Sequence, residues 1–155
     1  MKKFIALMAA LLVLTSMTTG DDKPASSAKQ FEAFGVAFYN LENLFDTINS
    51  NGTYDKEFSP QGARQWNSEK YFKKLHNLAY AISQMATGST PNGPAILGVT
   101  EIENISVLKD LVKQPEIRKW HLQIVHHDSP DRRGVDVGLL YNPRFFRVLN
   151  VVNTP

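Results

Sequence analysis

Two short and almost continuous apolar runs, separated by a long amphipathic stretch, constrain this chain more than any other feature. The runs are Phe34 to Tyr39 (FGVAFY) and Ala95 to Val99 (AILGV). Runs with so little polar content suit strands buried on both faces rather than strands with one face in water. Between them, Tyr71, Leu75, Leu78, Ile82 and Met85 recur at three- and four-residue spacings from Ser68 to about Ala86, with Lys70, Lys73, Lys74 and Asn77 falling between. That period predicts an amphipathic helix, and Asn67 or Ser68 is placed to cap it. A long loop with Gly52, Pro60 and Gly62 precedes the helix, and Gly88 to Gly93 (GSTPNG) stops it.

The remaining pattern extends the alternation. Ser106 to Val112 predicts a short helix with a stripe of Val107, Leu108 and Leu111 before Pro115, and Trp120 to Val125, Val135 to Tyr141 and Phe145 to Val152 predict three strands. Asn142-Pro143-Arg144 is short enough to join the last two as a hairpin. Strand, helix, strand, helix and three further strands indicate an α/β domain with a mixed sheet. The chain has 155 residues, 43% of them hydrophobic, which suits a single folded domain.

Charge and cysteine content remove several functions. There are 17 Lys+Arg against 15 Asp+Glu. Lys2 and Lys3 precede every acidic residue, so from Asp21 onward the two signs balance. A general electrostatic grip on nucleic acid is therefore not encoded in the totals, and any such grip must be local. The absence of cysteine excludes disulfides, thiolate metal sites, a cysteine nucleophile and a lipidated cysteine anchor. Lys2 and Lys3, an apolar run from Phe4 to Leu14 and a small polar stretch to Gly20 have the layout of a secretory signal. The run is shorter than the ~20 residues a membrane span requires. The organisation expected is a signal at 1–20, a polar linker at 21–30 and one domain from 31 to 155, in a secreted or periplasmic protein with no stable membrane span after signal cleavage.

Chemistry is expected where polar residues end the buried strands, because the carboxyl ends of such strands are where α/β sheets assemble sites. The first run leads into Tyr39-Asn40-Leu41-Glu42-Asn43 and the second into Thr100-Glu101-Ile102-Glu103-Asn104. Carboxylate and amide oxygens from two strand ends suit a hard cation such as Mg²⁺ better than zinc. Equally, such residues serve as caps and loop acids, and Glu103 and Asn104 stand where an acid and a cap would begin the next helix. Asp136 interrupts an apolar strand, so it either faces a site or alternates outward. Arg132 and Arg133 either contact phosphate or decorate an exposed loop. His126 and His127 end a strand near that loop and read as surface histidines.

Three segments, Phe38 to Asp46 (FYNLENLFD), Gly98 to Asn104 (GVTEIEN) and Asp128 to Tyr141 (DSPDRRGVDVGLLY), occur in the order and at the strand positions that resemble the endonuclease/exonuclease/phosphatase superfamily, the deoxyribonuclease I-like phosphoesterases. The resemblance is greatest to secreted bacterial endonucleases and exonucleases. It implies a four-layered α/β sandwich, of which this chain supplies one mixed β-sheet with its flanking helices. It also implies that Asn40 and Glu101 are catalytic and hold the metal, Mg²⁺ or else Mn²⁺ or Ca²⁺. Glu42 falls where some members carry a further metal-site acid, and Arg132, Arg133 and Asp136 fall where substrate is bound. The implied partner is a nucleic acid or another phosphodiester.

The same resemblance covers about Phe34 to Val152 and only the N-terminal half of the family's domain. The later Gly-Asp-x-Asn segment, and the terminal histidine that positions the attacking water, have no counterpart here. The expectation is a fragment of a secreted metal-dependent phosphodiesterase, inactive by itself, with one sheet face lacking its partner. A phosphatase or phospholipid phosphodiesterase of the same fold, and a catalytically silent exported binding protein, are the alternatives.

Overall fold

Each element forms where local sequence permits and stops where backbone chemistry changes. The computed structural model describes residues 31–48 and 55–152, and the expected signal and linker lie outside the described residues. Strand β1 spans Gly35–Leu44, helix α1 Ser68–Ser83, strand β2 Pro94–Ile102, helix α2 Ile105–Val112, strand β3 Gln123–His127 and strand β4 Asp136–Tyr141. Short 3₁₀ turns occupy Asp55–Phe58 and Arg118–Trp120. Asn67 caps α1 by accepting the Lys70 N–H, and Asn104 caps α2 by accepting those of Ser106 and Val107. Both caps satisfy donors that a helix start leaves unpaired.

The sheet has the order β1-β2-β4-β3. β1 and β2 are parallel, and β4 runs antiparallel to both of its neighbours. This is the mixed sheet that the element order implied. Parallel neighbours require a crossover, and α1 supplies it. Tyr71, Leu75, Leu78, Ala79 and Ile82 of α1, with Val107, Leu108 and Leu111 of α2, form one core with Leu41, Leu97, Val99, Ile102 and Leu140 of the sheet. Gly138 has a steric reason: a Cβ there would stand 2.9 Å from Leu108 Cδ1, so glycine lets α2 approach the sheet. A smaller cluster of Phe45, Phe58 and Val135 lies beside it, with the Phe45 and Phe58 rings stacked at 4.4 Å.

The helices cover one face. On the opposite face, Val36 and Phe38 of β1 and Val137 of β4 are 73%, 69% and 58% exposed. That is the solvent-open apolar sheet face expected of one layer of a sandwich.

Several elements differ from the sequence expectation, and β2 too runs on past Val99 to Ile102. β1 continues five residues past Tyr39, because Leu41 and Leu44 remain in the core. α1 ends at Ser83 rather than near Ala86. Trp120 is buried in a 3₁₀ turn, and the left-handed His121 (φ 52°) breaks the run, so β3 starts only at Gln123. Phe145 to Val152 forms no strand. β4 already has β2 on one edge and β3 on the other, so a hairpin partner has nowhere to pair. Asn142 instead turns the chain, its carbonyl accepting the N–H groups of Phe145 and Phe146. Those two rings then meet Phe34 edge-on at 5.4 and 5.6 Å.

Candidate functional site

Parallel pairing brings the two polar strand ends side by side. Tyr39 pairs with Val99 and Asn40 with Thr100, after which the register shifts and Leu44 meets Ile102. β1 spends three residues over this interval and β2 spends one, Glu101. Against β4 the register shifts at the same place, between Thr100 and Ile102, so Glu101 is the extra residue toward β4, while toward β1 the extra residues lie on β1 itself. The bulges are left-handed: Glu42, Asn43 and Glu101 have φ of 52°, 58° and 56°. Such a conformation costs a non-glycine residue roughly 1–2 kcal/mol. Bulges re-aim side chains and concentrate beside active sites, as does stored backbone strain.

Neighbouring groups hold the strained turn. The Asn40 Oδ1 accepts the Glu42 N–H at 2.7 Å. Lys74, reaching from α1, donates its ammonium to the Glu42 carbonyl at 2.5 Å and to the Asn43 carbonyl at 3.3 Å, and stands 5.7 Å from the centre of the Trp66 ring. Burial pushes the Lys74 pKa down, while the Glu42 and Glu101 carboxylates act in the opposite direction. Both acids therefore lie within the field of one ammonium. A groove of about 450 Å³ opens here, lined among others by Asn40, Glu42, Lys70, Lys73 and Lys74.

The Asn43 Oδ1 is buried with no hydrogen-bond partner among the described residues. Separately from it, Asn40, Glu42 and Glu101 offer only oxygen donors at the adjoining strand ends. That set suits Mg²⁺, Mn²⁺ or Ca²⁺ and gives a softer ion no sulfur or imidazole.

The other residues singled out in the sequence are placed as follows. β3 and β4 are antiparallel, so the 128–135 loop joining them lies at the sheet end that carries Asn40 and Glu101. Arg132 is exposed in that loop. Arg133 pairs with Asp131 at 2.8 Å, and this guanidinium holds the Asp131 carboxyl below its usual range. Asp136 faces neither solvent nor the open sheet face. It is buried on the helix side, where Oδ1 accepts the Ser129 N–H at 2.7 Å and Oδ2 meets His126 Nε2 at 2.9 Å. Glu103 is also buried and accepts the Asp46 N–H at 2.7 Å. Asn104 is the α2 cap, as the sequence alternative held.

His126 is not the surface histidine expected, for its side chain is 6% exposed. Period-two alternation carried the signal. Ile124 pairs with Leu140 and His126 with Gly138, which places the imidazole on the helix-facing side of the sheet.

No curated protein and no solved structure matches the chain. One family model, described as the Endonuclease/Exonuclease/phosphatase family, matches residues 35–154, a span that contains the four strands and two helices of the described residues and the paired strand ends. The chain belongs to the endonuclease/exonuclease/phosphatase family.

Proposed function

We propose that this chain carries the cation-holding part of a metal-dependent phosphodiesterase, an endonuclease or exonuclease, and that the protein is exported. The observation that carries the reading is the pairing of Asn40 with Thr100, which sets the left-handed acids Glu42 and Glu101 at adjoining strand ends. Glu101, Asn40 and Glu42 would hold a divalent cation, Mg²⁺ or Mn²⁺. When bound, such an ion withdraws charge from a phosphoryl oxygen and lowers the cost of the more negative transition state. Lys74 keeps the Glu42–Asn43 turn in place, and Lys70 and Lys73 along the same groove favour a polyanionic substrate. Arg132 and Arg133 stand in the 128–135 loop at the same end of the sheet, and a guanidinium matches two phosphate oxygens. With Glu42 and Glu101 engaged by the cation, this set offers no further group to accept a proton from the attacking water, so the 155-residue chain alone is expected to give no metal-stimulated cleavage.

The test combines binding with turnover. Titration with Mn²⁺ should show a site that Glu101→Gln weakens by about tenfold or more, since the substitution keeps shape and removes charge. Cleavage of DNA and RNA by the chain should stay at background. A longer protein containing this domain should cleave with Mg²⁺ or Mn²⁺ and lose that activity with Glu101→Gln. Unchanged Mn²⁺ affinity in Glu101→Gln overturns the ligand assignment. Chelator-sensitive turnover by the 155-residue chain overturns the division of the site.

A further inference from the structure

A second group of potential ligands lies away from the strand-end acids. One ligand atom from each of His126, Asp128 and Asp136 falls within 4.8 Å of the others. The imidazole is the informative member, because its side chain is more than nine-tenths buried. Its Nε2 is taken by the Asp136 carboxylate at 2.9 Å. Asp136 is itself fixed by the Ser129 N–H, so the ring is oriented by a carboxylate in the manner of metal-bound histidines. With Nε2–H donating to Asp136, the neutral ring leaves a lone pair on Nδ1. That nitrogen has no hydrogen-bond partner among the described residues and faces an Asp128 oxygen at 3.9 Å. A cation between these two acceptors would satisfy both.

The geometry points to a divalent cation of the zinc class held by His126 Nδ1 and Asp128, with Asp136 positioning the ring and water completing the shell. Tetrahedral ligands about 2.1 Å from zinc stand roughly 3.4 Å apart, so the 3.9 Å gap closes with a shift of about half an ångström. Asp128, 95% exposed, is free to make that shift. The surroundings agree in sign and in space. A groove of about 250 Å³ is lined by Asp128 and Asp136 with Glu103, Asn104, Ser129 and Gly134. It offers room for water ligands, and no lysine or arginine is among those residues. One imidazole and carboxylates favour zinc over the Mg²⁺ or Mn²⁺ suited to the oxygen-only strand ends. A bound ion would fasten the 128–134 loop, and with it Arg132 and Arg133, to the end of β3.

Zinc titrated into the full chain at neutral pH, followed by calorimetry and by the ¹⁵N resonances of the His126 ring, tests the assignment. The expected result is a site whose affinity falls about tenfold or more in Asp128→Asn and is unchanged in Glu101→Gln, with the Nδ1 resonance of His126 shifting on binding. Because Asp128 is exposed, its substitution leaves folding intact, which equal urea midpoints in chelator would confirm. A zinc affinity that Asp128→Asn leaves unchanged, an Nδ1 resonance that does not move, or no binding at millimolar zinc would each overturn the site. In those cases the His126–Asp136 contact would be structural alone. Retained zinc binding in Glu101→Gln alongside lost Mn²⁺ binding would separate this site from the strand-end site.

Discussion

Replacing Asp136 with alanine tests whether that carboxylate belongs to the framework. The side chain is 7% exposed and has two partners, the Ser129 N–H at 2.7 Å and His126 Nε2 at 2.9 Å. Truncation leaves the amide and the ring nitrogen in a site that water enters poorly. An unsatisfied buried donor costs roughly 1–3 kcal/mol. Two such donors are left, the Ser129 N–H and the His126 Nε2–H. A loss of about 2–6 kcal/mol is therefore expected, a large share of the 5–15 kcal/mol typical of a whole domain. Asp136→Asn keeps an oxygen for Ser129 and should lose about half as much. In urea, where m is about 1–3 kcal/mol/M, the alanine variant should unfold at a midpoint roughly 2 M lower, read by the fluorescence of Trp66 and Trp120. Asp128→Asn in chelator is the control, because its exposed carboxylate has no such role. If Asp136→Ala and the control unfold at the same urea concentration, the buried-pair argument is refuted.

Two further outcomes follow from burial. Burial first, and then the Asp110 carboxylate that accepts its hydroxyl at 3.0 Å, raise the Tyr71 pKa well above its ordinary value of 10.0. The folded state therefore keeps this proton while the unfolded chain releases it, so the wild type should lose stability as pH rises above about 10. Tyr71→Phe should be about 1 kcal/mol less stable at neutral pH and show a shallower alkaline decline; parallel pH profiles for the two proteins would contradict this. On the open sheet face, Val36→Thr, Phe38→Thr and Val137→Thr should each shift stability by less than about 0.5 kcal/mol, and together should reduce dye binding and self-association. A large loss of stability would mean that the face is covered.

How much of this was legible depends on what each residue had to satisfy. The helices were legible because Tyr71, Leu75, Leu78 and Ile82 repeat the period of the surface they bury, and Asn104 precedes its apolar stripe as a cap does. The two buried strands were legible for the same reason. The last strand was misplaced because an alternating apolar pattern states that a segment is able to pair, whereas pairing also needs a vacant edge. β4 has none, and sheet order is a long-range property that local pattern does not encode. The acids at the strand ends could be named from the motifs, but their backbone geometry could not. Positive φ is usually read from glycine, and here Glu42, Asn43 and Glu101 adopt it without glycine. The burial of His126 is not legible locally, because its partner Asp136 is ten residues away, across a hairpin whose register the sequence pattern does not encode.

That choice of glutamate over glycine at position 101 can be put to a test separating strain from function. At φ 56° glycine is at ease, whereas any residue with a Cβ meets the following carbonyl at a cost of roughly 1–2 kcal/mol. Glycine returns some of that through the greater freedom of its unfolded chain, about 0.5–1 kcal/mol. Glu101→Gly should therefore be more stable than Glu101→Ala by up to about 1 kcal/mol, and both should lose the strand-end cation site. The difference is informative because the two variants lack the same carboxylate and differ only in backbone tolerance. On the other strand, the Asn40 Oδ1 and the Lys74 ammonium already support the Glu42–Asn43 turn; at Glu101 the strain is relieved only by changing the residue that carries the charge. Denaturation of the two variants side by side reads the strain, and Mn²⁺ titration reads the site. An alanine variant as stable as the glycine variant would show that the left-handed bulge is not the conformation this residue holds. The placement of Glu101 beside Asn40 would then need another backbone path.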